Sequence, residues 1–391
     1  MEGTKVNNKP IVLIFSGIYL PGVNGGGPIR TISNLVASLG DEFDFHIITS
    51  DRDLGGKIAY SNVISNEWNL VGKAKVYYTK PNISLSQLAT IINGIDYKVI
   101  YLNSFFNVKF TIFPLLLRRL GKIKNMPIVL APRGEFSLNA LSLKSKKKNY
   151  FIRVASFFGL YNNLIWQASS SHEELDITSN LNLFKIPYKE VRVCQNLPDT
   201  NIVYKDFSFN PNLMKICFLA RVSKMKNLDF VLHILQNIKN NIFLGIYGPK
   251  EDLNYWAKCE KIIKELPDNI KVKYFGAVPN EQVRDIISNY DLFFVPSKGE
   301  NYGHVFVESF SAGTPVLVSD LTPWRNLHEK NIGWDISLDN IEGFSKAIGS
   351  YAQLTDKEKL FMRESTLKFA EYLTKDETVL NANKQLFNNL I

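Results

Sequence analysis

Short apolar runs alternate with longer stretches of helical periodicity along both halves of the chain. That alternation restricts the fold more than any other feature. In the first half the runs are Ile11–Ser16, Phe45–Thr49, Val76–Thr79, Val99–Asn103, Ile128–Ala131, Leu164–Ala168 and Val191–Val193. In the second they are Met214–Ala220, Ile242–Tyr247, Lys271–Phe275, Leu292–Val295 and Pro315–Ser319. Strands separated by helices require crossover connections, which build right-handed βαβ units and parallel sheets. About twelve strands are too many for one small domain, so two sheets are expected.

The pattern pauses at Asn196–Asn212, a polar stretch carrying Pro198 and Pro211, which predicts a domain linker. The expected organisation is an α/β domain over 1–198, a second over 199–370, and a C-terminal helix over 371–391 returning toward the first. No internal repeat or low-complexity tract interrupts it.

With 391 residues, 45% hydrophobic and 21% charged, the chain has enough apolar material for two ordinary cores. Cys194, Cys217 and Cys259 have no metal-ligand spacing and read as buried thiols of a reducing compartment, hence cytoplasm. No run reaches the roughly 18 apolar residues that a spanning helix needs. Lys5 and Lys9 precede an apolar segment that imitates a signal peptide. A proline and four glycines follow it rather than a cleavage site, so a first buried strand is expected.

The whole formal charge of +9 lies in residues 1–200, the remainder being balanced. It gathers at Arg118, Arg119, Lys122 and Lys124, and again at Lys144, Lys146, Lys147 and Lys148. Such clusters attract phosphates, on nucleic acid or on anionic lipid; a solvated surface without a partner is the alternative. The basic clusters lack interleaved aromatics in sequence, Lys144–Lys148 being flanked by serines and leucines, which argues against a nucleic-acid partner.

Four segments could carry chemistry. Glu300 and Glu308 bracket E-N-Y-G-H-V-F-V-E, between the apolar run ending at Val295 and the turn S-A-G-T-P. Glu300 then falls on the loop after a strand and Glu308 about one turn into the next helix, where parallel sheets present ligands to a positive helix end. Two carboxylates beside an anion-attracting site suit a molecule with phosphate and many hydroxyls. A helix-start glutamate that only complements the dipole, worth about 0.3–1 kcal/mol, is the alternative.

Ala220–Asn227 (A-R-V-S-K-M-K-N) sends Arg221 and Lys226 off a strand end together, where they could stabilise charge on a departing diphosphate; a pair of solvated loop cations is the alternative. Gly22–Arg30 is a glycine loop between strand and helix, without the G-x-G-x-x-G frame of a dinucleotide fingerprint; it is either a ligand-approach loop or a tight turn with no ligand. Pro132–Ser137 (P-R-G-E-F-S) puts Arg133 and Glu135 at another strand end; a purely structural turn stays open there. Asp51-Arg52-Asp53 matches D-x-D in letters but lies in the first half, just past a strand, and reads as a solvated loop. No metal or other cofactor is expected.

Together these motifs resemble the retaining family-4 glycosyltransferases of the GT-B fold, most closely those that build bacterial surface polysaccharides. The resemblance runs in family order over nearly the whole chain. Gly25-Gly26-Gly27 and A-S-S-S-H-E-E (Ala168–Glu174) come first, then N-L-P-D (Asn196–Asp199) and Arg221 with Lys226. Tyr247-Gly248-Pro249, Tyr274–Pro279 and the paired glutamates follow. It implies two Rossmann-like domains facing across a cleft, the first on the acceptor side and the second binding the nucleotide-sugar donor.

It also implies roles. Arg221 and Lys226 hold the donor diphosphate, and Glu308 the ribose. Glu300, with the backbone of Tyr302, Gly303, His304 and Val305, holds the donor sugar. Ala277 and Val278 read the base, with Gly248 at the same site, and the loop with Gly26 and Gly27 closes over the donor. The implied donor is a UDP-sugar ahead of a GDP-sugar. The implied acceptor is a saccharide, in particular one on a lipid diphosphate at the inner face of the cell membrane, and the basic first half fits peripheral association there.

One departure stands out: many family members carry a histidine where this chain has Arg133. An arginine stays protonated and cannot be a general base, so it is expected to clamp the sugar or the departing phosphate. Two other readings keep the fold: a nucleotide-sugar 2-epimerase, and a non-catalytic glycosyltransferase-like binding protein.

Overall fold

The computed structural model describes residues 9–137, 141 and 145–391. They form two compact units, one of residues 1–197 with 377–391 and one of residues 198–376.

The strands of the first unit are β1 (Ile11–Phe15), β2 (Asp44–Ser50), β3 (Trp68–Val71), β4 (Ala74–Thr79), β5 (Tyr97–Leu102), β6 (Ile128–Leu130), β7 (Ile165–Ala168) and β8 (Glu190–Val193). They lie in the order β3-β4-β2-β1-β5-β6-β7-β8, parallel except where β3 pairs antiparallel with β4. Alternate residues of one strand serve opposite faces of the sheet. Leu13 and Phe15 enter one apolar core with Ile100 and Leu102, while Val12 and Ile14 enter another with Val99 and Tyr101. Both faces are covered, which is why these strands read as unbroken apolar runs.

The last helix, Glu377–Asn388, closes one face of that sheet. Its Phe387 meets the edges of Phe43 and Tyr101 at 5.5 and 5.9 Å between ring centres. Asn383 Nδ2 donates to Gln195 O at 2.9 Å.

The second unit has β9 (Met214–Leu219), β10 (Ile242–Tyr247), β11 (Ile270–Gly276), β12 (Leu292–Val295), β13 (Val316–Ser319) and β14 (Gly333–Ile336), all parallel, in the order β11-β10-β9-β12-β13-β14. The order reverses at β9, between β10 and β12. In an open α/β sheet that is where a crevice forms at the carboxyl ends of the strands. Helix Asp356–Thr374 carries the buried Arg363, which donates to the carbonyls of Tyr290, Ser288 and Ala312 at 2.9, 3.0 and 3.2 Å. Burial lowers that guanidinium to about 10. Its bond to Ala312 holds the end of helix His304–Ser311, the helix that bears Glu308.

Two strands escaped the sequence reading, β3 and β14. β3 is an exposed edge strand, and β14 is short and opens on Gly333. The three cysteines are buried and unbridged. Among the described residues no helix is long and apolar enough to cross a membrane.

Candidate active site

In the second unit the expected donor residues gather at the carboxyl ends of β9 to β12. The loop after β9 carries Arg221 and Lys226, and the loop after β12 carries Glu300. The two loops are stitched together, Lys298 N donating to Met225 O at 2.9 Å and Asn227 Nδ2 to Pro296 O at 3.2 Å. That stitching brings Lys226 Nζ onto Glu300 Oε2 in an ion pair.

Arg221 takes a different partner. Its Nη1 meets Glu251 Oε1 at 2.6 Å, with both side chains 42% exposed. Glu251 follows β10 in Pro249-Lys-Glu251 and was missed in the sequence; the only signal was a carboxylate three residues beyond Gly248 in the same loop.

Gly248 makes this crowding possible. At φ +123°, a Cβ there would stand 2.0 Å from Ala220 O. Its N–H donates to Gly276 O at 2.7 Å, and its carbonyl accepts from Tyr274 Oη at 2.8 Å. Only glycine lets the ends of β9, β10 and β11 meet so closely. Ala277 and Val278 leave β11 from this point, Ala277 exposed and Val278 leaning on the core.

Gly303 plays the matching part on the other loop. It precedes helix His304–Ser311 at φ 73°, and a Cβ would strike the Phe306 ring at 2.5 Å and Glu300 Cγ at 2.9 Å. Tyr302 is buried, with its ring 4.8 Å from His304 and its carbonyl accepting from Trp324 Nε1 at 2.7 Å. Burial raises its hydroxyl far above the usual phenol range, so it stays protonated. Glu308 is buried five residues into the helix, and Val305 is partly buried against the core. Lys226 and the start of the Glu308 helix both lie by Glu300, and a cation and a helix N-terminus each favour an anion. A separate hollow of about 480 Å³, lined by His328, Trp334, Lys346 and Phe361 among others, includes none of these residues.

In the first unit Arg133 is bound into a polar network. It sits at φ 56° and donates from Nε to Asn103 Oδ1 at 2.8 Å, from Nη1 to Asn196 Oδ1 at 2.8 Å, and from Nη2 to Tyr101 Oη. Asn103 Nδ2 also donates to Pro28 O at 3.1 Å. Asn103, which the sequence reading passed over, therefore links Arg133 to the segment of Gly26 and Gly27. Glu135 accepts from the backbone of Phe105 and Phe106 at 2.6 and 3.0 Å. Glu173 accepts from Gly134 N at 2.7 Å.

The D-x-D segment is corrected. Asp51 is buried, and it accepts from Arg52 Nε at 2.8 Å and Ser65 Oγ at 2.9 Å. Asp53 accepts from the backbone N–H of Val23 and Asn24 at 3.0 and 3.2 Å. The segment anchors the glycine-rich loop rather than standing in solvent. Among the described residues no group of His, Cys, Asp and Glu is gathered to hold a metal ion.

Residues 203–365 match the family described as Glycosyl transferases group 1. An uncharacterized 41.2 kDa protein of the cps region of Klebsiella pneumoniae is 25% identical over 308 residues, 76% of this chain and 78% of that one. An uncharacterized glycosyltransferase of Methanocaldococcus jannaschii is 28% identical over 123 residues, 30% of this chain and 31% of that one. The crystal structure of Anabaena HepE in complex with UDP and glucose superposes with a TM-score of 0.67 at 16% identity, covering 98% of this chain and 99% of that one. The fold is GT-B, and the family match with that fold supports a glycosyltransferase.

Proposed function

We propose that this chain moves a hexose from a nucleotide-sugar, UDP-linked ahead of GDP-linked, to a saccharide on a lipid diphosphate, with retention of configuration. The observation that carries the reading is the Lys226–Glu300 pair at the carboxyl ends of β9 and β12, beside the glycine-started helix of Glu308. A cation and a helix N-terminus at one sheet end match the diphosphate of such a donor, and the two carboxylates match its sugar and ribose hydroxyls. HepE, which shares the fold, was crystallised with UDP and glucose. The Klebsiella relative comes from a cps region, which supports a role in surface polysaccharide.

In the proposed reaction the bond from the anomeric carbon to the diphosphate oxygen breaks. The acceptor hydroxyl attacks from the same face and passes its proton to that departing oxygen. Arg221 and Lys226 take up the charge that develops, a task that metal ions perform in other transferases. Glu300 positions the sugar and stabilises its cationic character, and Glu308 holds the ribose. Arg133, expected to clamp the sugar or the departing phosphate, is instead read as holding the acceptor-side loop, since its guanidinium is engaged by Asn103, Asn196 and Tyr101.

Incubation with a UDP-sugar and a lipid-linked saccharide, with and without chelator, tests this reading. The expected result is chelator-resistant transfer whose product keeps the donor's anomeric configuration. Epimerised nucleotide-sugar formed without acceptor would replace transferase by epimerase.

A further inference from the structure

The geometry points to one exposed helix, Ser145–Phe157, as the surface that docks the protein on an anionic membrane. The sequence around it is short of acids. Between Asp96 and Glu173 only Glu135 is acidic, and its carboxylate is engaged by Ser104, Phe105 and Phe106. The helix itself contains no Asp or Glu.

Its outward face is apolar as well as basic. Tyr150, Phe157 and Phe158 are 72%, 84% and 64% exposed, and Val154 joins them on the surface. At 100° per residue, Tyr150, Val154, Phe157 and Phe158 share one arc of about 140° with Lys146, Lys147 and Arg153. Ile152 and Ala155, on the opposite side, are buried in the core. This placement corrects the expectation that aromatics are absent from the lysine cluster: the helix turn brings them there. Lys144, the first lysine of the cluster, lies outside the described residues.

The far end of the patch is pinned. Arg119 Nε donates to Phe158 O at 3.0 Å and Arg118 Nη2 to Asn162 O at 2.7 Å, with Leu120 exposed beside them. An aromatic and aliphatic stripe framed by cations on a convex helix suits the headgroup boundary of a bilayer containing anionic lipid. Base stacking calls instead for a groove that tracks a strand.

The helix start adjoins the acceptor-side loop. Lys148 Nζ lies 5.0 Å from the Phe106 ring, and Phe106 N is held by Glu135 of the Arg133 loop. Docking here sets that loop next to the bilayer, where a lipid-linked acceptor resides. The inference takes its purpose from the proposed acceptor, while its test is independent of the reaction.

The test is flotation of the full chain with phosphatidylcholine vesicles, with and without phosphatidylglycerol, across a salt series. Binding is expected only with phosphatidylglycerol, and it should weaken with salt. Lys146→Gln with Lys147→Gln should lower vesicle affinity by about 30-fold. Phe157→Ser with Phe158→Ser should lower it by about tenfold or more. Thermal unfolding and UDP binding should be unchanged in both double variants, which separates this outcome from failure of the transferase reading. Equal binding to neutral vesicles, unaltered binding by the variants, preference for single-stranded nucleic acid, or a dimer that the phenylalanine variant dissolves would each overturn the proposal.

Discussion

Lys226 and Glu300, on loops that follow β9 and β12, form an ion pair whose side chains keep only 14% and 19% exposure. The pair sets the charge of the proposed diphosphate site. Glu300→Gln retains a hydrogen-bond acceptor for Lys226 but removes a negative charge from beside an anion. UDP binding is therefore expected to tighten by roughly threefold or more. Transfer should fall by about a hundredfold, because the sugar loses its positioning carboxylate. Titration and turnover measured on the same preparation check both signs.

Arg221 and Glu251 meet on the surface, so their pair contributes about 0–1 kcal/mol to stability at most. Glu251→Gln should leave the unfolding temperature nearly unchanged. It should also hold or improve nucleotide affinity, since Arg221 no longer has a competing carboxylate. Weaker UDP binding in that variant would show that Arg221 must be held by Glu251 to function.

Gly248→Ala is expected to be damaging for a backbone reason. A methyl group at φ +123° would overlap Ala220 O, in a region that L-residues rarely adopt. A cost of about 2 kcal/mol or more would lower the unfolding temperature by roughly 4–8 °C. Calorimetry would register this even without any substrate.

Asp51 and Asp53 lead to separable effects in the glycine-rich loop. Burial alone would raise the Asp51 carboxyl, but hydrogen bonds from Arg52 and Ser65 outweigh it and hold the group below its ordinary 3.8. A folded value below the unfolded one gives stability that is present above pH 3.8 and lost as the pH falls through the folded value. Asp51→Asn should thus cost about 1–3 kcal/mol at neutral pH and flatten the acid limb of the stability curve. Asp53→Ala should spare stability and lower kcat/KM for transfer by about tenfold, because Val23 and Asn24 lose their anchor.

The sequence disclosed the sheets well because central parallel strands are covered on both faces. Val12–Phe15 and Leu292–Val295 are fully buried and therefore stand out as apolar runs. β3 carried no such signal. Trp68 and Leu70 face outward on an edge strand, and only the turn at Gly72, at φ 58°, marks its hairpin with β4. The motif residues at strand ends were legible as candidates, since Lys226 and Glu300 each follow an apolar run. Their pairing was not, because it depends on how two loops distant in sequence are stitched. Glu251, Asp53 and Asn103 were missed or misjudged for the same reason: each acts through backbone or side-chain groups far along the chain.

Arg221 and Lys226 are the proposed grip of the second unit on the diphosphate of a nucleotide-sugar. Isothermal titration of UDP into the wild-type chain and into an Arg221→Ala, Lys226→Ala double variant tests it most directly. The double variant, folded as judged by its unfolding transition, is expected to lose about a hundredfold or more in affinity. Undiminished UDP binding by that variant would contradict it.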